Sequence, residues 1–459
     1  MISLWSSHVH EFPNAPGVRD RSYRTHRTYA KRGESRLGLR ERAVMAVVLV
    51  LLLAPRGALA LDLWSDDEGH RGTLDVTGKI TSLASDAPAD PFLFPDGFTN
   101  TTLARLRLGL DVRHSDWMDS QFAYEQRARW TSAGAGFGAV GSVLPSEARA
   151  PFRIVQFDWE IDADDRFAYR HEIDRAAVAL HPEWGDVTIG RQAIGLGRGV
   201  LFGAVDVFNP FSPLEVDREW RRGVDALRAE VRLSTTASAE AIAVFGESWE
   251  QSALLGRVRG YLGDIDGALI VGKRAEDFMV GAAFSAVVGD AEIHGELATF
   301  DTPEAQPDGT LWGGDHLATK AVFGSSYTFD IGNGLTVIGE YHYSDFGVRD
   351  AEDALARLQD PDFQRRFLRG DTQILGRQAL AGQLGYAFND SVNGSFLVLT
   401  NPTDGSGVLS PSLRLDFDSH ISLITSAFIP WGAEPASGQL RSEHGATAAS
   451  LFIQAAAYY

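Results

Sequence analysis

No cysteine occurs in the 459 residues, and only four lysines do: Lys31, Lys79, Lys273 and Lys320. The missing thiols exclude disulfide staples, thiolate metal sites and cysteine nucleophiles together, and they suit export through an oxidising periplasm. A basic footprint is missing too. With 61 Asp and Glu against 42 Lys and Arg, the chain carries a formal charge of −19, which argues against a nucleic-acid partner. What positive charge exists is nearly all arginine, which stays ionised and forks onto carboxylates and phosphates. Nor does any hydrophobic run reach the roughly 20 residues that a membrane-crossing helix needs. HExxH, Walker and GxSxG signatures are all absent, and Gly195-x-Gly197 sits in a loop, not at a strand-to-helix turn. No enzyme activity, metal or cofactor is expected.

The longest apolar run, Ala43 to Leu53, follows Arg36, Arg40 and Arg42 and precedes Ala58-Leu59-Ala60. This reads as a signal peptide cut after Ala60, with an uncleaved anchor as the alternative. Residues 1–35 are too long and polar for an ordinary n-region and read as a misassigned gene start. One domain is expected over residues 61–459.

What recurs along that domain is alternation. Ala104, Leu106, Leu108, Leu110 and Val112 share one face of a strand, and Arg105, Arg107, Asp111 and Arg113 share the other. Met118, Phe122, Tyr124, Ala128 and Trp130 oppose Asp119, Gln121, Glu125, Arg127 and Arg129. Further on, Leu227, Ala229, Val231 and Leu233 oppose Arg228, Glu230 and Arg232. Ile293 and Leu297 oppose Glu292, His294 and Glu296; Val337, Tyr341 and Tyr343 oppose Glu340 and His342. Leu413, Leu415 and Phe417 oppose Arg414, Asp416 and Asp418. Phe167 to His181 needs a bulge near Arg175 to stay in phase.

A soluble sandwich alternates as well, so the connections decide. About 18 candidate strands are joined by linkers that alternate between short and long. Short ones are 114–116, 182–184, 289–290, 330–334, 389–391 and 418–419. Long polar ones are Leu83 to Thr102, Thr131 to Arg166, Gly195 to Arg222, Asp301 to Asp315 and Phe346 to Gly376. That asymmetry predicts an all-β transmembrane antiparallel barrel with short periplasmic turns and long extracellular loops. The chain ends on Tyr458-Tyr459, a terminus of the kind the barrel-assembly machinery reads. The expected surroundings are outer-membrane lipid and lipopolysaccharide, and the expected cargo is small solutes.

The architecture resembles that of porins and of alginate-export-type barrels. Val187 to Arg228 is similar to a strand-loop-strand unit of porin-like proteins, with its GRQ strand end and DVFNPFSP loop. The resemblance implies a diffusion pore. It also implies that the third loop folds inward as a constriction built from Phe208, Asn209, Phe211, Asp217, Arg218, Glu219, Arg221 and Arg222. Packing on the rim or at a subunit contact is the alternative. The family contains both trimers and monomers, so the oligomer stays open.

Charge facing lipid costs roughly 2–4 kcal/mol per residue at mid-membrane, so charged strand faces should line the lumen. Arg105, Arg107, Asp111, Arg113, Glu125, Arg127, Arg129, Arg228, Glu230, Arg232, Arg257 and Arg259 come from the earlier strands. Glu292, Glu296, Glu340, Arg414 and Asp416 come from the later ones. This order predicts an arginine-rich wall opposite an acidic wall, or else charges paired merely to satisfy each other. Arginine suggests anionic solutes, while the net charge pulls the other way. Two other readings stay in play: a structural or adhesive barrel with a closed lumen, and a hydrolase using His171, His294 or His342. The seventh loop, Asp350 to Phe367, is helix-prone up to Pro361 and reads as a surface cap, lid or plug.

Overall fold

Period-two alternation folds into strands throughout the computed structural model, which describes residues 61–67, 69–132, 143–145 and 148–459. The leader and its cleavage site lie outside the described residues. The strands are β1 (Leu61–Ser65), β2 (Arg71–Asp86), β3 (Phe98–Ser115), β4 (Met118–Thr131), β5 (Asp158–Ala163), β6 (Phe167–Leu180) and β7 (Gly185–Gln192). There follow β8 (Val224–Arg232), β9 (Ala237–Phe245), β10 (Ala253–Leu262), β11 (Ile265–Arg274), β12 (Asp277–Val288), β13 (Ala291–Asp301) and β14 (Leu317–Phe329). The last are β15 (Leu335–Ser344), β16 (Gln378–Asn389), β17 (Val392–Thr400), β18 (Gly407–Asp416), β19 (Ile421–Trp431) and β20 (Ala449–Tyr458). Two short helices, α1 (Ala354–Arg357) and α2 (Pro361–Arg369), lie between β15 and β16.

Strands pair antiparallel with their sequence neighbours, except that β4 pairs with β6, and β20 returns to β2 from Asp86↔Ala449 to Thr77↔Tyr458. The result is a closed ring of 18 strands, β2 to β4 and β6 to β20. Closure leaves no free sheet edge, which is what permits strands to cross a bilayer. The remaining two strands are short additions: β1 pairs with the foot of β2, and β5 with the upper half of β6.

The wall is inverted relative to a soluble protein. On β10, Leu254 and Val258 are 53% and 52% exposed, while Arg257 between them is 9% exposed. Apolar side chains coat the outside and charges fill the inside. Trp117 and Trp184, exposed in the short turns at one end, add the aromatic fringe expected at a membrane interface.

Between β4 and β6 the register jumps from Ala123↔Arg175 to Tyr124↔Ile173, leaving Asp174 unpaired. This bulge, at the predicted place, keeps the outside apolar and re-aims Asp174 toward the lumen. Two linker expectations need correction. Leu83 to Thr102 is strand at both ends, because β2 and β3 stay paired up to Asp86↔Phe98, and only 87–97 is loop. Thr131 to Arg166 is not wholly loop either. Its end alternates from Val155 to Asp162, and Asp158–Ala163 of it forms β5 in the wall above the short β7. Arg191 of the GRQ sequence holds that patch through the carbonyls of Val155, Gln156 and Ile173 and pairs with Asp225 at 2.7 Å.

Candidate functional site

Loop 3, residues 193–223, leaves the top of β7 and turns into the barrel. Two carboxylates of the opposite wall hold it there. Glu296 on β13 accepts the backbone N–H groups of Arg198, Gly199, Ala204 and Val205, the last three at 2.7, 2.6 and 3.0 Å. Glu340 on β15 accepts those of Val200, Leu201 and Phe202 at 2.6, 3.0 and 2.9 Å, and His294 at 2.8 Å. Such close approach explains the glycines: a Cβ on Gly197 would stand 2.6 Å from the Glu296 carboxylate.

The apolar residues of the loop finish the job. Ile194, Leu196, Val205, Val207 and Phe208 pack on Val224, Ile242, Val244, Leu255, Ile270 and Met279 of the β8 to β12 wall. Each large side chain so buried contributes roughly 1.5–3 kcal/mol. Beneath the loop that side of the lumen is therefore filled by apolar packing, and the cavities described below lie along the other side.

The open side is lined by β2, β3, β4 and β6 on the wall and by residues 209–222 of the loop. Asp217 bridges Lys79 at 2.8 Å and Arg105 at 3.0 Å, and Glu219 takes Lys79 at 2.6 Å. Burial pushes the Asp217 carboxyl up, but Arg105 and Lys79 outweigh it and hold it below its ordinary value. Arg105 also forks onto Glu125 through Nε and Nη2 at 3.1 and 2.9 Å. Arg107 meets Glu125 at 3.5 Å and Asp174 at 3.0 Å through Nη1 alone. Trp220 sits among these cations, with the Lys79 ammonium 4.0 Å and the Arg107 guanidinium 4.9 Å from its ring. Behind them Arg153, 1% exposed, ties Glu172 at 2.5 Å, Asp174 at 3.2 Å and the Gly223 carbonyl at 2.8 Å.

Three cavities follow one another along this wall. The first, about 210 Å³, opens among loops 2, 3 and 7 and is lined by Arg105, Arg107, Arg127, Glu215 and Trp220. The second, about 450 Å³, shares Arg107 and Trp220 with the first and adds Asp111, Gln121 and Glu219. The third, about 630 Å³, shares Asp111 and Gln121 with the second and reaches Arg71 and Arg113 near the short turns. Arg107 and Trp220 thus mark the junction of a run from the loop end to the turn end.

The sequence-predicted residues fall into four groups. Arg105, Arg107, Glu125, Arg127, Asp217 and Arg222 converge on the first cavity with Asn209 and Phe211. Asp111, Arg113 and Glu219 line the next two. A separate row on β8 to β10 pairs Arg228 and Arg257 with Glu240 at 2.5 and 2.8 Å, and Arg259 with Glu230 at 2.7 Å. Arg232 and the Arg414–Asp416 pair belong to the turn end, and Arg129 and Glu292 stand apart from the cavities.

Some expectations are corrected. No acidic wall faces an arginine wall: Glu125, Glu172 and Asp174 interleave with the arginines, and Glu296 and Glu340 are consumed by loop 3. Phe208 does not line the constriction but lies in the dry core at 0% exposure. Arg218 and Arg221 turn back onto loop 3, Arg218 onto the Ser212 and Pro213 carbonyls and Arg221 onto Asp206 at 2.6 Å. His294 and His342 are fully covered beneath loop 3, His342 stacked on Phe202 at 4.8 Å, so no substrate reaches either. Loop 7 is more than a surface cap, since Arg366 and Arg369 of α2 bind Asp277 and Glu276 at the β11–β12 turn at 2.8 and 2.5 Å. Lys79, Arg153 and Trp220 were not foreseen. Lys79 lay in a run of small residues without clear alternation, and Trp220 was hidden in a charge cluster.

No family model and no curated protein matches the sequence. Solved structures do match its fold. OccAB1 of Acinetobacter baumannii superposes with a TM-score of 0.51 at 10% identity, over 84% of this chain and 96% of that one. OccK9 (OpdG) of Pseudomonas aeruginosa gives 0.51 at 10% identity, over 84% and 98%. The chain therefore has the fold of an outer-membrane porin barrel.

Proposed function

We propose that this chain is a passive pore of a bacterial outer membrane, admitting small hydrophilic solutes along the β2–β3–β4–β6 wall and favouring anionic ones. One observation carries the reading: three cavities share lining residues in turn from the loop end to the turn end of the barrel, beside a side that loop 3 fills with apolar packing. The anionic preference rests on Arg107. It spends one nitrogen on its two carboxylates and keeps Nε and Nη2, the edge suited to a bidentate anion. Nothing in the passage is arranged for bond-making chemistry, and no energy coupling is needed for diffusion. The apolar outer band meets lipid and lipopolysaccharide, and β20 with Tyr459 presents the closing strand to the assembly machinery.

A closed structural barrel is the second reading, favoured by the pairing of Arg105, Arg127 and Lys79 with acids. Single-channel recording of refolded residues 61–459 in a planar bilayer separates the two. Stable ohmic steps are expected. An anion preference that falls by about three-fold in Arg105→Ser/Arg107→Ser/Arg127→Ser would match the modest worth of solvent-accessible ion pairs. A folded, heat-modifiable barrel that never conducts sinks the pore reading.

A further inference from the structure

Every acid lining the first cavity is matched to a cation except one. Glu125 has Arg105 at 2.9 Å, Glu172 has Arg153 at 2.5 Å, Asp174 has Arg107 at 3.0 Å and Asp217 has Lys79 at 2.8 Å. Glu215 also lines this cavity, yet among the described residues no lysine or arginine nitrogen lies within 4 Å of its carboxylate. Its hydrogen bond is the Ser212 N–H at 3.3 Å. Arg218, three residues on, is the obvious partner. Its guanidinium is instead spent on carbonyls: Ser212 at 3.1 Å, Pro213 at 2.6 Å, Val200 at 3.2 Å and the backbone carbonyl of Glu215 itself at 3.1 Å.

We propose that Glu215 is the specificity-determining residue of the passage: it offers the cationic group of a solute a carboxylate with no partner of its own, while the arginine row takes the anionic group. The favoured class is then the small zwitterion, amino-acid-like in bearing both charges, over a plain carboxylate of the same size. This rests on the pore reading above and sharpens it.

The physical case is one of unspent valence. An ionised carboxylate accepts in about four directions, and one weak backbone bond leaves most of them open. Partial burial makes an unpaired charge expensive, and an arriving ammonium relieves that cost. Opposite it, Arg107 retains its free Nε and Nη2 edge. Solutes with both charges satisfy both sides of a cavity of about 210 Å³; a carboxylate alone satisfies one.

The environment also makes the device titratable. Burial pushes Glu215 up to about 7, Asp217 adding to the rise, while the Ser212 N–H, Arg218 and Arg105 act the other way. Across the cavity it faces Arg107 on β3, Glu125 and Arg127 on β4, Glu172 and Asp174 on β6, Arg149 of loop 2 and Arg369 of loop 7. Neighbouring Asp217 is held ionised by Arg105 and Lys79, so of the two loop 3 acids lining this cavity it is Glu215 that changes charge around neutral pH.

The test compares alanine with lactate, which differ by an ammonium for a hydroxyl, in uptake by proteoliposomes of the refolded barrel. At pH 8 the alanine-to-lactate ratio should exceed that at pH 6 by about three-fold, the scale of one solvent-accessible ion pair. Glu215→Gln should hold the lower ratio at both pH values, and Glu215→Asp should restore the pH step. Chloride conductance is recorded on each preparation. Conducting channels whose ratio is the same in wild type and Glu215→Gln overturn the assignment of Glu215. Absence of any conductance overturns the pore reading instead, so the two failures are distinct.

Discussion

Buried and exposed ion pairs in this barrel differ in what their loss costs. Arg153 is 1% exposed and holds Glu172, Asp174 and the Gly223 carbonyl at once. Removing it takes one buried cation from Glu172 and Asp174, which keep Arg127 and Arg107, and leaves the Gly223 carbonyl unpaired, a loss of about 1–3 kcal/mol for a buried acceptor left unsatisfied. Arg113, whose side chain is 55% exposed, meets Asp116 at 2.7 Å in the turn between β3 and β4, where water replaces the contact at little cost. Arg153→Met should therefore lower the midpoint of heat modification on a gel clearly, and Arg113→Ser should leave it within error. Equal midpoints would mean that Arg153 is hydrated and the pocket wetter than its burial implies. The same scale explains why pairings were not legible in the sequence. Arg105, Glu125 and Arg127 were visibly on one face, but which of them touch depends on the register of β3 against β4. Alternation fixes the face, and only turn geometry fixes the register.

Elements show where pattern reading succeeds and where it stops. Strands with clean alternation, such as β3, β8 and β13, were readable because a lipid-facing side chain and a lumen-facing one differ so much in solvent. β5 was missed although Val155, Phe157, Trp159 and Ile161 alternate with Gln156, Asp158, Glu160 and Asp162. Its six residues are embedded in a long irregular linker and pair with half of one strand. Loop 3 was legible as an inward-folding segment through resemblance, but its anchors were not. Glu296 and Glu340 looked like lumen charges and turn out to be acceptors for seven backbone N–H groups. A carboxylate holding several backbone donors contributes more than a neutral acceptor, since charge-assisted bonds are about twice as strong. Glu296→Gln with Glu340→Gln should therefore loosen loop 3 while its apolar side still packs. Wider, noisier single-channel currents are expected from the double variant, with Glu292→Gln as the control that stands apart from the loop. Unchanged conductance would show that the dry core alone sets the position of the loop.

At the scale of the whole molecule, net charge and selectivity point in opposite directions. The chain as a whole is strongly acidic, at −19, whereas the junction of the first two cavities gathers Arg105, Arg107 and Arg127 beside Trp220. Which one rules is a question of range. Charges spread over rims and loops act through water, where the screening length is about 10 Å at 0.1 M salt and about 3 Å at 1 M. Charges lining the junction act at contact distance on any ion that passes, so screening reduces their influence far less. If the distant acids ruled, the channel would prefer cations at low salt and lose that preference as salt rose. Control by the junction predicts anion preference at both salt levels, and stronger preference at 1 M because the opposing rim field has been screened away. Reversal potentials across KCl gradients centred on 0.1 M and on 1 M measure this directly. Cation preference at 0.1 M that vanishes at 1 M would place selectivity at the mouths and leave the arginine row a purely structural set of ion pairs.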